Sequence, residues 1–184
     1  MLIPHFNHVV LDSNELAPYL EENPMTKLWL LCVLLIPATH VRPQSAAPEG
    51  FHYWSAASLS EKVPMLGQQA ASDSHHVAVQ QLGDFPNDTA LLVHRDANGA
   101  PEWHETQVDV VFIQSGGATL VVGGTLLNAD TVAPHEKRNG TIEGGVRQKV
   151  SAGDLIRIPA KTPHQFLLDG SKELTYLVVK VKGY

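Results

Sequence analysis

Residues 75–184 constrain the fold most strongly, because short runs of β-branched residues alternate there with Gly, Pro, Asn and Asp. Such runs are typical of short strands joined by tight turns. Strands are predicted near 76–82, 89–95, 101–105, 108–114, 117–123, 145–150, 154–159, 164–168 and 173–182. Many short strands at this spacing favour an all-β sandwich or a small closed barrel.

The residues before the strands predict a short N-terminal arm and helix over 48–74. The helix is expected over 55–69, where Ser58 and Glu61 have the spacing of a capping box. Between the strands, residues 124–144 form one long polar connection, which predicts a functional or mobile loop. The predicted organisation is therefore a leader over 1–47, an arm and helix over 48–74, and a barrel over 75–184.

An apolar run at 28–36, preceded by Lys27, predicts the hydrophobic region of a signal peptide. The run is too short for a membrane span, which needs about 20 residues. Residues 1–24 are acidic and lack Lys and Arg, so we expect translation to start at Met25 and cleavage to fall near Ala47. The mature chain would then be exported to the periplasm or the medium, without a membrane span. The alternative for the apolar run is a short buried helix or strand.

Composition excludes several partners and sites. The chain has 184 residues and a formal net charge of −6, so it lacks the basic character of a general nucleic-acid-binding protein. Its single cysteine, Cys32, cannot form an internal disulfide or a cysteine-based zinc site. The apolar fraction of 43% is sufficient for a packed core.

Several polar residues are predicted to share faces of neighbouring strands. Side chains alternate along a strand, so Glu102 and His104 lie on one face of the third expected strand. Asp109 begins the next strand, which is expected to end in a tight hairpin at Gly116. His164 begins a later strand.

Two stretches resemble the sequence motifs of the cupin family. The first motif usually reads His-x-His, three or four residues, Glu, six residues, Gly; the matching stretch is Glu102-x-His104-x4-Asp109-x6-Gly116. The second usually reads Gly-x5-Pro-x-Gly-x2-His; the matching stretch is Gly153-x5-Pro159-x4-His164. The chain departs from the family pattern where Glu replaces the first His, Asp replaces the Glu, and Lys161 replaces the second Gly.

The resemblance implies a double-stranded β-helix, or jelly-roll cupin barrel, of six to eight strands over about 75–181. Carried over residue by residue, it implies a divalent metal (Fe, Mn or Zn) held inside the barrel by Glu102, His104, Asp109 and His164. His94 is an alternative ligand that could replace the missing first histidine. Lys161, if it points into the barrel mouth, would contact an anionic substrate. The remaining alternative is a cavity whose polar residues form hydrogen bonds without a metal.

Two functions of different classes follow from the resemblance. The first is a metal-dependent enzyme acting on a small polar molecule, as an oxygenase, isomerase or epimerase, with residues 124–144 as a lid that carries Glu136, Lys137 and Arg138. The second is a non-catalytic exported module that binds a sugar or an organic acid without metal. A third hypothesis is a structural barrel that forms a homodimer through its sheet edges.

Overall fold

The structure is a computed structural model that describes residues 46–184. The predicted signal sequence at 28–36 and the predicted start at Met25 lie outside the described residues. Residues 46–51 belong to a separate short segment, in which the Phe51 N–H donates to the Pro48 carbonyl at 3.1 Å. The helices and strands described below lie within residues 52–184.

Two helices precede the strands: α1 (Ala56–Ser60) and α2 (Val63–Ser72). The sequence predicts one helix over 55–69. The chain forms two helices instead because of Pro64. Proline fits the first turn of α2, where its missing N–H is not needed, but within one continuous helix its ring would clash with the Ser60 carbonyl. The Ser55 hydroxyl oxygen accepts a hydrogen bond from the Ser58 N–H at 3.1 Å and so caps α1.

The strands of the described residues are β1 (Val77–Asp84), β2 (Asp88–Arg95), β3 (Glu102–His104), β4 (Gln107–Val122), β5 (Thr125–Leu127), β6 (Asp130–Ala133), β7 (Glu136–Arg138), β8 (Thr141–Glu143), β9 (Val146–Ser151), β10 (Leu155–Ile158), β11 (His164–Leu167) and β12 (Leu174–Lys182). Their neighbours pair antiparallel. One sheet has the order β1-β2-β12-β4-β10, and the other has the order β9-β4-β11-β3-β7-β6. The strands β5 and β8 pair separately.

The long strand β4 belongs to both sheets. The sequence predicts two strands with a hairpin at Gly116, whereas the structure has one continuous strand. Its first half pairs with β10 and β12, and its second half pairs with β9 and β11. The pairing with β12 shifts by one residue at Gln114, which indicates a β-bulge. Gly116 follows this bulge with φ +77°, and a Cβ there would collide with the Glu173 carbonyl. Glycine at this position therefore permits a bend and a close approach, and no hairpin forms.

The region 124–144, predicted as a long loop, contains four short strands, β5 to β8. The strand β7 adds to the second sheet beside β3, and β6 pairs with β7. Much of this polar connection is therefore hydrogen-bonded sheet rather than a free lid.

Two apolar clusters hold the fold together. The first fills the barrel between the sheets and consists of Val93, Val111, Ile113, Ala118, Leu120, Val150, Ile158, Phe166, Leu168, Leu174, Tyr176 and Val178. The second lies where the helices cover the outer face of β1 and β2 and consists of Leu59, Leu66, Ala70, Ala78 and Leu92. The helices therefore cover the barrel from outside and leave its interior to strand residues.

We predict that Leu66→Ala lowers the free energy of unfolding by about 3 kcal/mol, because a fully buried leucine side chain is replaced by a cavity. Met65→Ala, at a neighbouring position with 46% exposure, is the control and should cost less than about 1 kcal/mol. Urea-induced unfolding monitored by circular dichroism measures both values. Equal losses in the two variants would show that α2 does not pack against the barrel as described.

Candidate metal centre in the barrel

Four of the residues singled out from the sequence come together at one end of the barrel. Glu102 and His104 lie on β3, and His164 begins β11, directly opposite Glu102 in the antiparallel pairing. Asp109 reaches the same place from β4. The His104 Nε2 atom is 3.7 Å from the Glu102 carboxylate and 3.5 Å from the Asp109 carboxylate, and the His164 Nε2 atom is 3.6 Å from Asp109. These four side chains form the acidic–histidine cluster.

The cluster borders a cavity of about 360 Å³ inside the barrel. Glu102, Asp109 and His164 lie on its wall together with the cationic residues Arg95, Arg138 and Lys180, and valines, Leu91 and Phe166 make up much of the apolar part. A cavity of this size, lined by both apolar and charged side chains, is suited to a small polar molecule.

Three residues of the cluster have the geometry of a metal site. Glu102, His104 and His164 each offer a ligand atom, and these atoms lie within 4.8 Å of one another. His164 Nδ1 is 3.1 Å from the Thr162 carbonyl, so this nitrogen carries the proton and Nε2 faces the cluster with its lone pair. Two imidazoles and a carboxylate suit Fe(II), Mn(II) or Zn(II). The cluster could therefore hold a metal ion.

Lys180 contacts the cluster, although the sequence motifs did not identify it. Its Nζ atom lies 2.8 Å from His104 Nε2 and 3.0 Å from each Asp109 carboxylate oxygen. Asp109 is thereby engaged by an ammonium group, and a metal that uses His104 Nε2 requires Lys180 to move. Alternation along β12 is the signal that could have found it, because Tyr176 and Val178 on the same face lie in the barrel core.

The charges of the cluster stabilise one another. Burial by itself raises the pKa of Asp109, but interactions with His104 and with the Lys180 ammonium outweigh it and lower the pKa to about 2. Burial opposes ionisation of Glu102 as well, yet the permanent cations beside it, Arg138 first and then Lys180, lower its pKa overall. For His164, burial lowers the pKa more than the neighbouring carboxylates raise it. Both carboxylates are therefore ionised at neutral pH, whereas the His164 imidazole is neutral.

The strand β7 supplies two further charged groups beside β3. Arg138 lies opposite Glu102 in the pairing, with Nη2 3.6 Å from Oε2 of Glu102. Glu136 lies opposite His104, with Oε1 3.4 Å from Nδ1 of His104. Both were expected on a lid over residues 124–144, but the strand pairing holds them at the edge of the cluster.

His94, the predicted alternative ligand, is not part of the cluster. It is buried on the opposite face of β2, where its Nδ1 lies 2.9 Å from the Thr175 hydroxyl and its Nε2 lies near Gly67 of α2. Alternation explains this position, since Val93 and Arg95 on either side of it line the cavity. His94 thus connects β2 to the helix side of the barrel.

Lys161 also lies apart from the barrel cavity. It is exposed in the turn before β11, with φ +60°, and its N–H donates to the His104 carbonyl at 2.7 Å. Its side chain borders a separate surface groove beside Trp103 and Lys137. The replacement of the motif glycine by Lys161 therefore affects the turn and this groove. The lysine that lies on the wall of the barrel cavity is Lys180.

Arg95 and Tyr176 are polar residues of the cavity wall that sequence reasoning did not single out. The Arg95 Nη2 atom donates to the Tyr176 hydroxyl at 3.3 Å and lies 3.9 Å from Glu102. The Arg95 Nε atom is buried without a hydrogen-bond partner among the described residues. Burial of an unpaired donor is costly, and the residue that carries it lies on the wall of the cavity.

The arrangement of the two motifs in the strands decides the fold. The first motif covers β3 and β4 as far as Gly116, and the second runs from the turn before β10 to the start of β11. Their histidines, His104 and His164, face each other inside the barrel with ring centroids 5.4 Å apart. The chain has a cupin fold. The predicted jelly-roll barrel with a helical N-terminal segment is confirmed.

Comparison with known proteins found similar solved structures. A cupin 2 conserved barrel domain protein from Rhodopseudomonas palustris is 26% identical over 57% of this chain and 60% of its own, with a TM-score of 0.41. KdgF from Halomonas sp. is 16% identical over 60% of this chain and 84% of its own, with a TM-score of 0.43. Pac13 from Streptomyces, a nucleoside dehydratase, is 11% identical over 61% of this chain and 74% of its own, with a TM-score of 0.44.

The chain thus spans less than two thirds of the cupin 2 barrel protein. No protein-family model matches the sequence, and no curated protein is similar to it. Among the described residues, no helix is long and apolar enough to cross a bilayer.

We predict that the ion pair of Asp109 makes stability depend on acidity. Its pKa is about 2 in the folded chain and about 3.9 when unfolded, so its contribution is complete above pH 3.9 and is lost as the pH falls through 2. Between pH 5 and pH 2, the wild type should lose about 2 kcal/mol more unfolding free energy than Asp109→Asn. Urea titrations at several pH values measure the difference. Parallel pH profiles would contradict the assigned ion pair.

Proposed function

We propose that this protein binds a small polar molecule with an anionic group in its barrel cavity, next to a divalent metal held by Glu102, His104 and His164. The observation that carries the proposal is the approach of these three ligand groups to within 4.8 Å of one another at a cavity of about 360 Å³. We infer further that the site acts on the bound molecule as a metal-dependent enzyme.

The anionic character of the ligand is inferred from the cations on the cavity wall. Arg95, Arg138 and Lys180 line the cavity together with the two carboxylates Glu102 and Asp109. Glu102 is paired with Arg138, and Asp109 is paired with Lys180. Because these two pairs balance their own charges, the further positive charge of Arg95 or of a bound metal would attract an anionic ligand. The Arg95 guanidinium, which lies on the cavity wall, can donate to a carboxylate or phosphate oxygen of that ligand.

The residues of the chain have separable roles in this proposal. Glu102, His104 and His164 would hold the ion, and a bound divalent ion would supply Lewis acidity toward an oxygen of the ligand. The Thr162 carbonyl orients His164 by accepting a hydrogen bond from its Nδ1–H, and Glu136 faces the Nδ1 atom of His104. The largely apolar remainder of the cavity wall would exclude water from the bound molecule.

A second candidate is a binding cupin for a sugar or an organic acid that functions without metal or catalysis. One observation favours it: the Lys180 ammonium contacts His104 Nε2 and Asp109 at hydrogen-bond distance. With the lysine in this position, the cluster is a set of paired charges that can bind a polar ligand directly. Metal content distinguishes the two candidates.

We predict that the purified full-length protein, prepared without a polyhistidine tag and incubated with Fe(II), Mn(II) or Zn(II), retains about one equivalent of one of these ions per chain. His104→Ala and His164→Ala should each lower the retained metal at least tenfold, because each removes one of only three ligands. His76→Ala is the matched control, since the His76 side chain is 51% exposed and pairs with Asp96 outside the cluster. Elemental analysis after gel filtration measures the metal.

Two results would count against the metal proposal. Retention that falls equally in His76→Ala would indicate adventitious binding at the surface. No retained metal in the wild type with any of the three ions would favour the second candidate, and the ligand would then be sought among sugars and organic acids by thermal shift.

We also propose that the protein is exported after removal of its leader. The support is the apolar run at 28–36 behind Lys27, and the small residues near Ala47 that suit cleavage. In an expressing host, we expect the exported chain to begin at residue 48 when its N-terminal sequence is determined. A chain that stays in the cytoplasm with an N-terminus before residue 38 would contradict export.

A further inference from the structure

The strongest unexplained feature of the site is the position of Lys180. Its ammonium group lies within 3.0 Å of three acceptor atoms, one on His104 and two on Asp109. The side chain is only 14% exposed and lies on the cavity wall. Lysine is rarely this buried without a charged partner, and Asp109 is that partner.

The contact with His104 has a consequence for any cation at the site. A metal ion bound by histidine lies about 2.0–2.1 Å from the nitrogen, along the direction of its lone pair. The Lys180 Nζ atom lies 2.8 Å from that same Nε2 nitrogen and donates to its single lone pair. One lone pair cannot serve both partners, so the ammonium and a metal exclude each other at His104.

Charge reinforces this exclusion. Two positive ions that share one histidine would repel each other strongly, because the surroundings are buried and poorly screened. Asp109 does not relieve the repulsion, since both of its carboxylate oxygens already contact Lys180. Metal binding through His104 Nε2 therefore requires the Lys180 ammonium to leave that nitrogen.

We propose that Lys180 is an internal cation that competes with the divalent metal for His104 and thereby sets the metal affinity of the site. This inference rests on the proposed metal site at Glu102, His104 and His164. The Lys180 side chain would thus determine how tightly the site binds a metal. With the lysine in place, the cluster is satisfied without metal; when the lysine is displaced, the three ligands become available together.

Titration of the full-length protein with MnCl2 by isothermal titration calorimetry at pH 7.5 tests the proposal. Lys180→Met keeps most of the side-chain volume but removes the ammonium, so its Mn(II) affinity should exceed that of the wild type at least tenfold. Lys180→Arg keeps a charged donor and should leave the affinity low. Lys182→Met is the matched control, because Lys182 lies on the same strand but pairs with Asp84, and its affinity should stay within twofold of the wild type.

Removal of Lys180 alone leaves the buried Asp109 without its partner and can destabilise the fold. The double variant Asp109→Asn/Lys180→Met removes both charges while keeping the three ligands, and it should show the same gain in affinity. Absorption of bound Co(II) in the visible range gives an independent signature of a histidine-containing site, and it should be stronger in both variants than in the wild type.

The outcomes separate the inference from the proposed function. Tight binding of equal strength in the wild type and the lysine variants would overturn the competition while leaving the metal site intact. Binding only in the variants would support the competition and overturn metal binding by the native chain. If neither the wild type nor the folded variants bind Mn(II) or Co(II), both the metal site and the competition are wrong.

Discussion

The continuity of β4 through both sheets is the constraint on which the barrel depends. In its first half, the odd-numbered residues Val111 and Ile113 lie in the core, and in its second half the even-numbered residues Ala118 and Leu120 do so. The one-residue bulge at Gln114 causes this change of parity, since inserting one residue exchanges the two faces of a strand. Without the bulge, one half of β4 would turn its apolar residues away from the barrel interior. Asp109 lies on the inward face of the first half, so the same strand geometry also positions the cluster.

The interior of the barrel is divided between an apolar end and a charged end. Strand alternation in β12 places Leu174, Tyr176 and Val178 in the core and continues to Lys180 at the cluster. A buried carboxylate such as Asp109 is tolerated only when it is paired, and Lys180 supplies the opposite charge. The packed end stabilises the fold, whereas the charged end supplies groups that a ligand or metal can use.

Much of the fold could be predicted because the sequence contains strong local signals. The alternating runs predicted the strands, and the motif spacings placed Glu102, His104 and His164 together. Local signals failed where a distant partner decided the outcome. Gly116 predicts a turn by itself, but its approach to Glu173 on a distant segment makes it part of a bend. Likewise, the polar residues 136–138 read as a loop, and only pairing with β3 makes them a strand.

The same limitation applies to the site residues. The motifs identify ligand types by spacing, but they contain no information about which charges from other strands enter the site. Lys180 lies 71 residues after Asp109 and Arg138 lies on a segment without motif residues, yet both contact the cluster. His94 shows the converse, because its chemistry suits a ligand but strand parity turns it toward the helices. The chemistry of a side chain therefore identifies candidate ligands. Its place in the alternation along the strand then determines whether it faces the cluster.

The two histidines of the cluster are consequently not equivalent. His164 lies on the cavity wall, its Nδ1 proton is held by a backbone carbonyl, and burial favours its neutral form. His104 is more deeply placed: its Nε2 accepts from Lys180, and its Nδ1 faces Glu136 across the sheet. Glu102, His164 and Lys180 line the cavity, whereas His104 is not part of its wall. The two histidines therefore differ both in their exposure to the cavity and in the partners of their ring nitrogens, so the site is not a symmetrical arrangement of ligands.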